Sequence, residues 1–227
     1  MSSNPDPTVR PTVQKGRSFI EEARRAQIVS CAIDTIAELG YSQASLARIA
    51  ERARISKGVI GYHFAGKEDL IGQIVREVLA RATEYMRPRI TAESTGRDML
   101  RAYIESNLAF MGEYRNHVLA IVEIARNARQ EEGESSLDPA LLEGAVGSLA
   151  QLLTRFQATG DFRPDFDPIV MAVAIRAAID AVPRRLANDP TLDVERYGDE
   201  LANLFDRATR AAASRPRTRS ARPNANQ

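Results

Sequence analysis

The chain has 227 residues, of which 44% are hydrophobic and 27% charged, enough apolar material for a sizeable core in one or two domains. Its longest apolar run, "IVMAVAI" at 169–175, is far shorter than the ~20 residues that a membrane-spanning helix needs. The first 17 residues hold no apolar signal-peptide core, and the single cysteine, Cys31, excludes an internal disulfide, so we expect a cytoplasmic protein.

Charge is distributed unevenly along the chain. Residues 1–90 carry 14 Lys and Arg against 10 Asp and Glu, residues 91–206 carry 11 against 20, and residues 207–227 carry six arginines and no acid. A basic front and an acidic body indicate that one part meets an anion and the other does not. Solvated faces and a disordered tail would give the same counts, so charge alone leaves both interpretations open.

The first predicted elements are a polar arm and a long helix. Residues 1–17 contain three prolines and no apolar period, which predicts a disordered basic arm. From Ser18 the pattern is helical, with apolar residues recurring at spacings of three and four as far as Leu39, and Gly40 supplies the stop.

Two short helices are predicted next. Ser45 is placed to cap the helix "LARIAERA", and Ser56 to cap a second helix over about 57–63. A long helix over about 67–87 follows, and Pro88 helps to stop it. Two short helices that are joined by a tight turn and packed on a longer one are typical of a helix-turn-helix DNA-binding unit.

The rest of the chain predicts further amphipathic helices and no strands. These helices span about 97–114, 117–130, 139–159, 167–187 and 193–213, and breaks rich in Gly, Pro and Asp separate the later ones. We therefore expect an all-α fold with about nine helices.

The second short helix leaves an unusual surface around "ISKGVIGYHFAGKEDL" (55–70). If Ile55 and Ile60 anchor this helix, its outer face carries Ser56, Lys57, Gly58, Gly61, Tyr62 and His63. Gly58 costs about 1 kcal/mol of helix stability relative to alanine, but a helix without a side chain there can press its backbone against a base edge or a phosphate. Lys57 can donate to guanine acceptors in the major groove.

This stretch, with the preceding "SLARIAERA", resembles the signature of the TetR family of bacterial transcriptional regulators over about residues 20–72. The resemblance implies an all-α homodimer that is released from its operator by a ligand. It implies a DNA-binding domain at 18–66 and an effector-binding and dimerisation domain at 67–213, between the disordered arm at 1–17 and a disordered basic tail at 214–227. The last two long helices, near 167–187 and 193–213, would form the dimer interface.

The resemblance also implies individual contacts. Carried over position by position, the predicted DNA-binding residues are Ser45, Ser56, Lys57, Gly58, Tyr62, His63 and Lys67, with Phe64 packing behind them. Arg48 and Arg54, which depart from the family pattern, join this set because their charges would lie close to DNA. Most of them match phosphate contacts, and base contacts concentrate at the start of the second short helix.

Three positions depart from the family pattern. Gly61 stands where many members carry a tyrosine that contacts phosphate. Arg54 stands where the turn commonly has glycine, and costs roughly 1 kcal/mol if the backbone there is left-handed. Arg48 replaces an acidic capping partner of Ser45, and could meet a phosphate instead.

Other chemistry is weakly indicated. Cys31 is interpreted as a near-core thiol, and His63 and His117 have no metal-ligand spacing around them, so we predict neither a metal nor a cofactor. Arg176 and Asp180, four apart on an apolar helix, predict an ion pair rather than a ligand contact. The stretch with Tyr103, Asn107, Phe110, Met111 and Tyr114 lines either a pocket or the core, so the ligand-binding residues stay unassigned.

The favoured function is a dimeric, ligand-responsive repressor that binds a pseudo-palindromic operator in double-stranded DNA, without catalytic activity and without membrane association. An all-α enzyme or small-molecule carrier is the alternative, but it has no reason to expose "SKGVIGYHF" in a basic region. A DNA-compacting protein is a third possibility, which the acidic body disfavours because it would repel a wrapping duplex. The effector, the operator and the direction of regulation are not encoded in any motif.

Overall fold

The computed structural model describes residues 12–131 and 139–211. Over these ranges the chain is all-α, and the prediction of fold class is confirmed. The helices are α1 Thr12–Leu39, α2 Leu46–Arg52, α3 Lys57–His63, α4 Lys67–Thr91, α5 Gly96–Glu113, α6 Arg115–Glu131, α7 Pro139–Thr159, α8 Pro168–Asp180, α9 Val182–Asn188 and α10 Val194–Thr209. With α8 and α9 taken as one interrupted helix, the number is the nine that the sequence predicts. No helix in the described ranges combines the length and hydropathy needed to cross a membrane.

The start of α1 corrects one predicted boundary. The helix begins at Thr12, so residues 12–17 of the predicted disordered arm are helical, while residues 1–11 of that arm and the predicted tail at 214–227 lie outside the described residues. After Pro11 the chain has no proline until Pro88. The backbone therefore meets no obligatory break between the polar segment and the apolar period of α1.

Prolines also explain two later differences. α4 continues through Pro88 to Thr91, so the predicted stop is wrong; only one turn follows Pro88, and Ala92 N–H donates to the Pro88 carbonyl at 3.1 Å to close it. The single helix predicted at 167–187 is instead divided between α8 and α9 at Ala181. Pro183 lacks the N–H that would continue the hydrogen-bond ladder across this division.

The first three helices form a small head around one end of the apolar core that continues into the body. Ile28 and Ile36 of α1, Ile49 of α2 and Ile60 of α3 meet there, all at most 1% exposed, together with Phe64. Leu70 and Ile74 of α4 belong to the same core, which enlarges the apolar surface that the three helices of the head bury. The head is thereby fixed to the rest of the molecule.

The body is built around α5, which packs against both α4 and α10. α7 packs on α8, and α6 lies against α1 and α9, so that α6 joins body and head. Polar contacts also hold α10 in place. Arg97 Nε of α5 pairs with Asp206 Oδ1 at 2.8 Å, and the Arg163 N–H, after α7, donates to the Thr209 carbonyl at 2.9 Å.

The N-terminus of α5 is the tightest glycine site in the described structure. A Cβ built on Gly96 would lie 2.4 Å from Cγ of the buried Phe156 on α7. We expect Gly96→Ala to lower the free energy of unfolding by about 1–3 kcal/mol through overpacking. Gly144→Ala is the control, because a Cβ there meets nothing within 4 Å. Thermal unfolding measures both, and equal stability of the two variants would contradict the packing seen at Gly96.

Candidate nucleic-acid interface

The turn between α2 and α3 is set by hydrogen bonds and one unusual backbone angle. Ser45 caps α2 as predicted, accepting from the Arg48 N–H at 3.3 Å. The chain then reverses at Arg54, whose φ of 54° makes it the one non-glycine residue with positive φ in the described ranges. Ile55 N–H donates to the Ala50 carbonyl at 3.0 Å and closes the turn.

The left-handed turn at Arg54 yields a prediction about the stability of the head. Arg54→Gly is expected to raise the free energy of unfolding by up to about 1 kcal/mol, because glycine adopts positive φ without the steric cost that arginine bears. The greater freedom of glycine in the unfolded chain offsets part of this gain. Denaturant titration checks it, and a variant less stable than the wild type would show that Arg54 has packing that outweighs its backbone strain.

The outer face of α3 is open. Ile60 and Phe64 are buried, while Lys57, Gly58 and Gly61 are exposed, so the helix is anchored on one side and bare on the other. A Cβ on Gly58 would meet only Ser56 Oγ, at 3.7 Å, and a Cβ on Gly61 nothing within 4 Å. Ser56 stands at the N-cap position without a capping side-chain hydrogen bond, so its hydroxyl is not used by the helix.

Tyr62 and His63 lie together at the end of α3. Their rings meet edge to face with centroids 5.1 Å apart, and the Tyr62 side chain is exposed, its hydroxyl 3.4 Å from Glu21 Oε1 of α1. Arg25 fixes this end of the helix: its Nη1 donates to the His63 carbonyl at 2.5 Å, and its guanidinium carbon lies 4.3 Å from the centroid of the Phe64 ring.

Lys67 opens α4 with its side chain directed to the loop before α2. Its Nζ donates to the Tyr41 carbonyl at 2.9 Å and lies 3.9 Å from the centroid of the Tyr41 ring. The ammonium therefore has an internal partner in the free protein. A phosphate contact at this position requires the ammonium to share or exchange that partner.

The structure brings the nine predicted DNA-binding residues onto one region of the head: the start of α2, the α2–α3 turn, the face of α3 and the start of α4. Arg48 is exposed and its Nη1 donates to the Gln43 carbonyl and side chain, at 3.3 and 3.2 Å, so it lies beside the Ser45 cap. Whether each residue contacts DNA stays a prediction, since the structure shows only their placement.

Sequence reasoning missed the residues that support this surface. Besides Arg25, Gln27 Nε2 donates to the Ala53 carbonyl at 3.2 Å, and Tyr41 holds Lys67. These partners are 26 to 38 residues apart in the chain. No local pattern could have signalled them.

The body contains a polar cluster where α8 meets α5. Arg176 pairs with Asp180, as the sequence predicts, and its Nη1 also donates to the Tyr103 hydroxyl at 3.0 Å and to Asn107 Oδ1 at 3.3 Å. The guanidinium thus satisfies polar groups inside an otherwise apolar contact. Of the Tyr103–Tyr114 stretch, Asn107, Phe110 and Met111 are buried, which supports the interpretation as core.

Three other features were considered as sites: the Cys31 thiol, groups of metal-binding side chains, and surface hollows. Burial and the nearby Asp34 raise the pKa of the Cys31 thiol, so it stays protonated at neutral pH, as expected of a near-core cysteine. Within residues 12–131 and 139–211, no three His, Cys, Asp or Glu side chains group as metal ligands would. Two surface hollows of about 350 and 340 Å³ flank Leu39, one against α2 and one against α6 and α9.

Comparison with known proteins shows that the sequence of the head is similar to one family of regulators. Residues 28–74 match the family described as bacterial regulatory proteins, tetR family. The fatty acid metabolism regulator protein of Bacillus subtilis is 25% identical over 79% of this chain and 92% of its own length. The transcriptional regulator BetI of Stenotrophomonas maltophilia is 34% identical over 39% of this chain, a match that spans 45% of BetI.

Solved structures extend the likeness to the body. The crystal structure of AibR in complex with isovaleryl coenzyme A and operator DNA superposes with a TM-score of 0.64 at 20% identity, covering 80% of this chain and 97% of AibR. At this level of identity the likeness shows a shared fold, with the head and body arranged alike.

Proposed function

We infer the function of this chain from the match of residues 28–74 to the tetR family of bacterial regulatory proteins and from its likeness to the Bacillus subtilis regulator: it is a sequence-specific transcriptional regulator that binds operator DNA as a homodimer and is released by a small-molecule ligand. The exposed face of α3 is the observation that carries this proposal. A seven-residue helix that buries Ile60 and leaves Lys57, Gly58 and Tyr62 bare has the shape and chemistry of a recognition helix.

The placement of side chains on this face favours DNA over other partners. Lys57 is at the first residue of α3, where side chains of a recognition helix reach base edges. Gly58 and Gly61 keep the adjoining backbone uncovered, so the helix can lie deep in a major groove. Tyr62 and His63 stand at the other end, suited to phosphates on the groove wall.

Both alternatives fit the structure less well. An all-α enzyme or carrier has no need of the bare face of α3, where Lys57 and Tyr62 are exposed and the two glycines between them leave the backbone uncovered. A DNA-compacting protein would need basic surface over much of the chain, whereas residues 91–206 carry 20 acids against 11 bases.

The apolar faces of α8 and α10 support dimerisation. Ile169, Val170 and Val173 of α8 are at least half exposed, and so is Leu204 of α10. Ala174 and Ala177 extend the face of α8 and permit close approach of another helix. Because apolar patches of this kind mark interfaces, and a two-fold dimer presents the same patch twice, we place the interface on these two helices.

A ligand-responsive mechanism is supported by AibR, whose crystal structure holds isovaleryl coenzyme A together with operator DNA. In this chain α4 and α6 both contact α1 of the head, so they offer a route from body to head.

Salt dependence of binding tests the proposal. Lys57→Ala should weaken binding by about 1–3 kcal/mol and relax preference at one base pair, since it removes a base contact. Lys67→Ala should weaken all sequences alike and lower the salt slope by about one, since it removes a phosphate contact. The probe is a duplex that wild-type protein selects from a randomised pool.

Arg87→Ala is the control, because Arg87 is an exposed arginine of α4, 20 residues beyond Lys67 and outside α8 and α10. It should change neither affinity nor slope. Selection of no duplex by the wild type would overturn the proposed function, and an Arg87→Ala effect equal to that of Lys57→Ala would overturn the placement of the DNA surface.

A further inference from the structure

α6 meets the head at a cluster of polar and aromatic groups. Asn116 Nδ2 of α6 donates to Asp34 Oδ1 of α1 at 2.8 Å. One residue further on, the His117 ring meets the edge of Tyr114 with centroids 5.4 Å apart. Arg81 of α4 completes the cluster, its guanidinium carbon 5.6 Å from the centroid of the Tyr114 ring. Three helices, from head and body, therefore join at His117.

The surroundings of His117 disfavour the protonated, positively charged form of its imidazole. Its Nδ1 is buried and has no hydrogen-bond partner among the described residues, and the same holds for Nε of Arg81. Both nearby carboxylates are already engaged: Asp34 accepts from Asn116, and Glu77 pairs with Arg81 at 2.9 Å. A proton added to His117 would place a second positive charge near Arg81, and the buried Nδ1–H would have no acceptor in this packing.

Electrostatics agree with this geometry. Burial, and next the positive charge of Arg81, lower the pKa of His117 below its ordinary 6.5, and the opposing influence of Asp34 and Glu77 is smaller. The folded chain therefore takes up this proton less readily than the unfolded chain. The stability linked to His117 is complete above about pH 6.5 and is lost as the pH falls through the lowered value.

We propose that this junction is a proton-sensitive contact between body and head: protonation of His117 loosens α6 from α1 and α4 and thereby lowers affinity for operator DNA. A protonated Nδ1 needs an acceptor that it does not have in this packing, so the imidazolium has to shift toward Asp34, toward Glu77 or toward solvent. Any of these shifts disturbs the contacts of α6 with α1 and α4. Loosened heads sample more spacings, so the spacing that matches two half-sites is less populated. The effect on DNA rests on the proposed function.

The chain has two histidines, His63 and His117, which makes the test direct. In His63→Gln protein, one imidazole signal remains in the proton NMR spectrum, and its titration midpoint should lie below 6.5. The free energy of unfolding of this variant should fall between pH 7.5 and 5.5, and His117→Gln in the same background should reduce that fall. A midpoint at or above 6.5, or an equal fall in both proteins, would overturn the proposal.

DNA affinity is compared in the same His63→Gln background, because His63 is itself a predicted phosphate contact. The probe is the duplex selected by wild-type protein at pH 7.5. Between pH 7.5 and 5.5 the affinity of His63→Gln protein should fall by roughly fivefold or more, and that of the double variant should not. An equal fall in both would overturn the switch. If the wild-type protein selects no duplex, the proposed function is wrong instead. The NMR and unfolding measurements would then still test whether protonation of His117 destabilises the junction.

Discussion

Replacing Gly58 with leucine is expected to abolish sequence-specific DNA binding while the protein stays folded and dimeric. Gly58 is exposed on α3, and its Cβ would meet only Ser56 Oγ at 3.7 Å, so the head itself accepts a side chain. A leucine would instead hold the helix away from the groove by several ångströms of side chain. Affinity should drop to the non-specific level, a loss of about 4 kcal/mol or more, measurable by fluorescence anisotropy on a selected duplex.

Two variants make the Gly58 result interpretable. Gly144→Leu introduces the same residue at an exposed glycine of α7, with nothing within 4 Å of its Cβ, and should leave DNA binding unchanged. Gly58→Ala should bind with intermediate affinity, because a methyl group intrudes less. Operator affinity in Gly58→Leu equal to that of the wild type would refute the docking of α3 in the groove.

Introducing a charge on the apolar face of α8 or α10 is expected to dissociate the dimer. Ala177→Glu places a carboxylate on α8, and Leu204→Glu replaces a side chain that is 58% exposed in the single chain. In a two-fold dimer each change buries two unpaired charges, at a cost of several kcal/mol. We expect the dimer dissociation constant to rise by about two orders of magnitude or more, as measured by light scattering or sedimentation.

Leu79→Glu is the matched control for the interface. Leu79 is an exposed leucine on α4, outside the faces of α8 and α10, so the same substitution there should leave the dimer intact. A wild type that is monomeric at micromolar concentration, or a dimer that tolerates both Ala177→Glu and Leu204→Glu, would place the interface elsewhere.

The head was predictable because its signals are local. The Ser45 cap, the apolar spacing of α1 and the buried Ile60 are each specified within a few residues, and the structure shows all three. The left-handed backbone at Arg54 also follows from the departure noted in the sequence. Local patterns suffice here because caps, turns and helix faces depend on neighbours in the chain.

The contacts that position the site were not predictable in this way. Arg25 reaches His63 across 38 residues, and Lys67 reaches Tyr41 across 26, so both depend on how helices pack rather than on a motif. The division of α8 from α9 depends on one residue, Pro183, and α1 begins directly after another, Pro11. The spacing of apolar residues does not register either effect. Ligand-binding residues in the body could not be assigned from the sequence either. The apolar faces of its helices fit a packed core as well as they fit the lining of a ligand pocket.

The break at Ala181 has a consequence for how assembly and DNA recognition communicate. Beyond this break α9 packs on α6, where Arg115 Nη2 donates to the Leu186 carbonyl at 2.9 Å. α6 in turn rests on α1 of the head. The proposed interface and the DNA surface are thus ends of one continuous series of packed helices. If they are coupled through it, thermodynamic reciprocity requires that DNA tighten the dimer by the same factor that dimerisation tightens DNA binding. Protomer concentration would then act as a regulatory input beside the ligand.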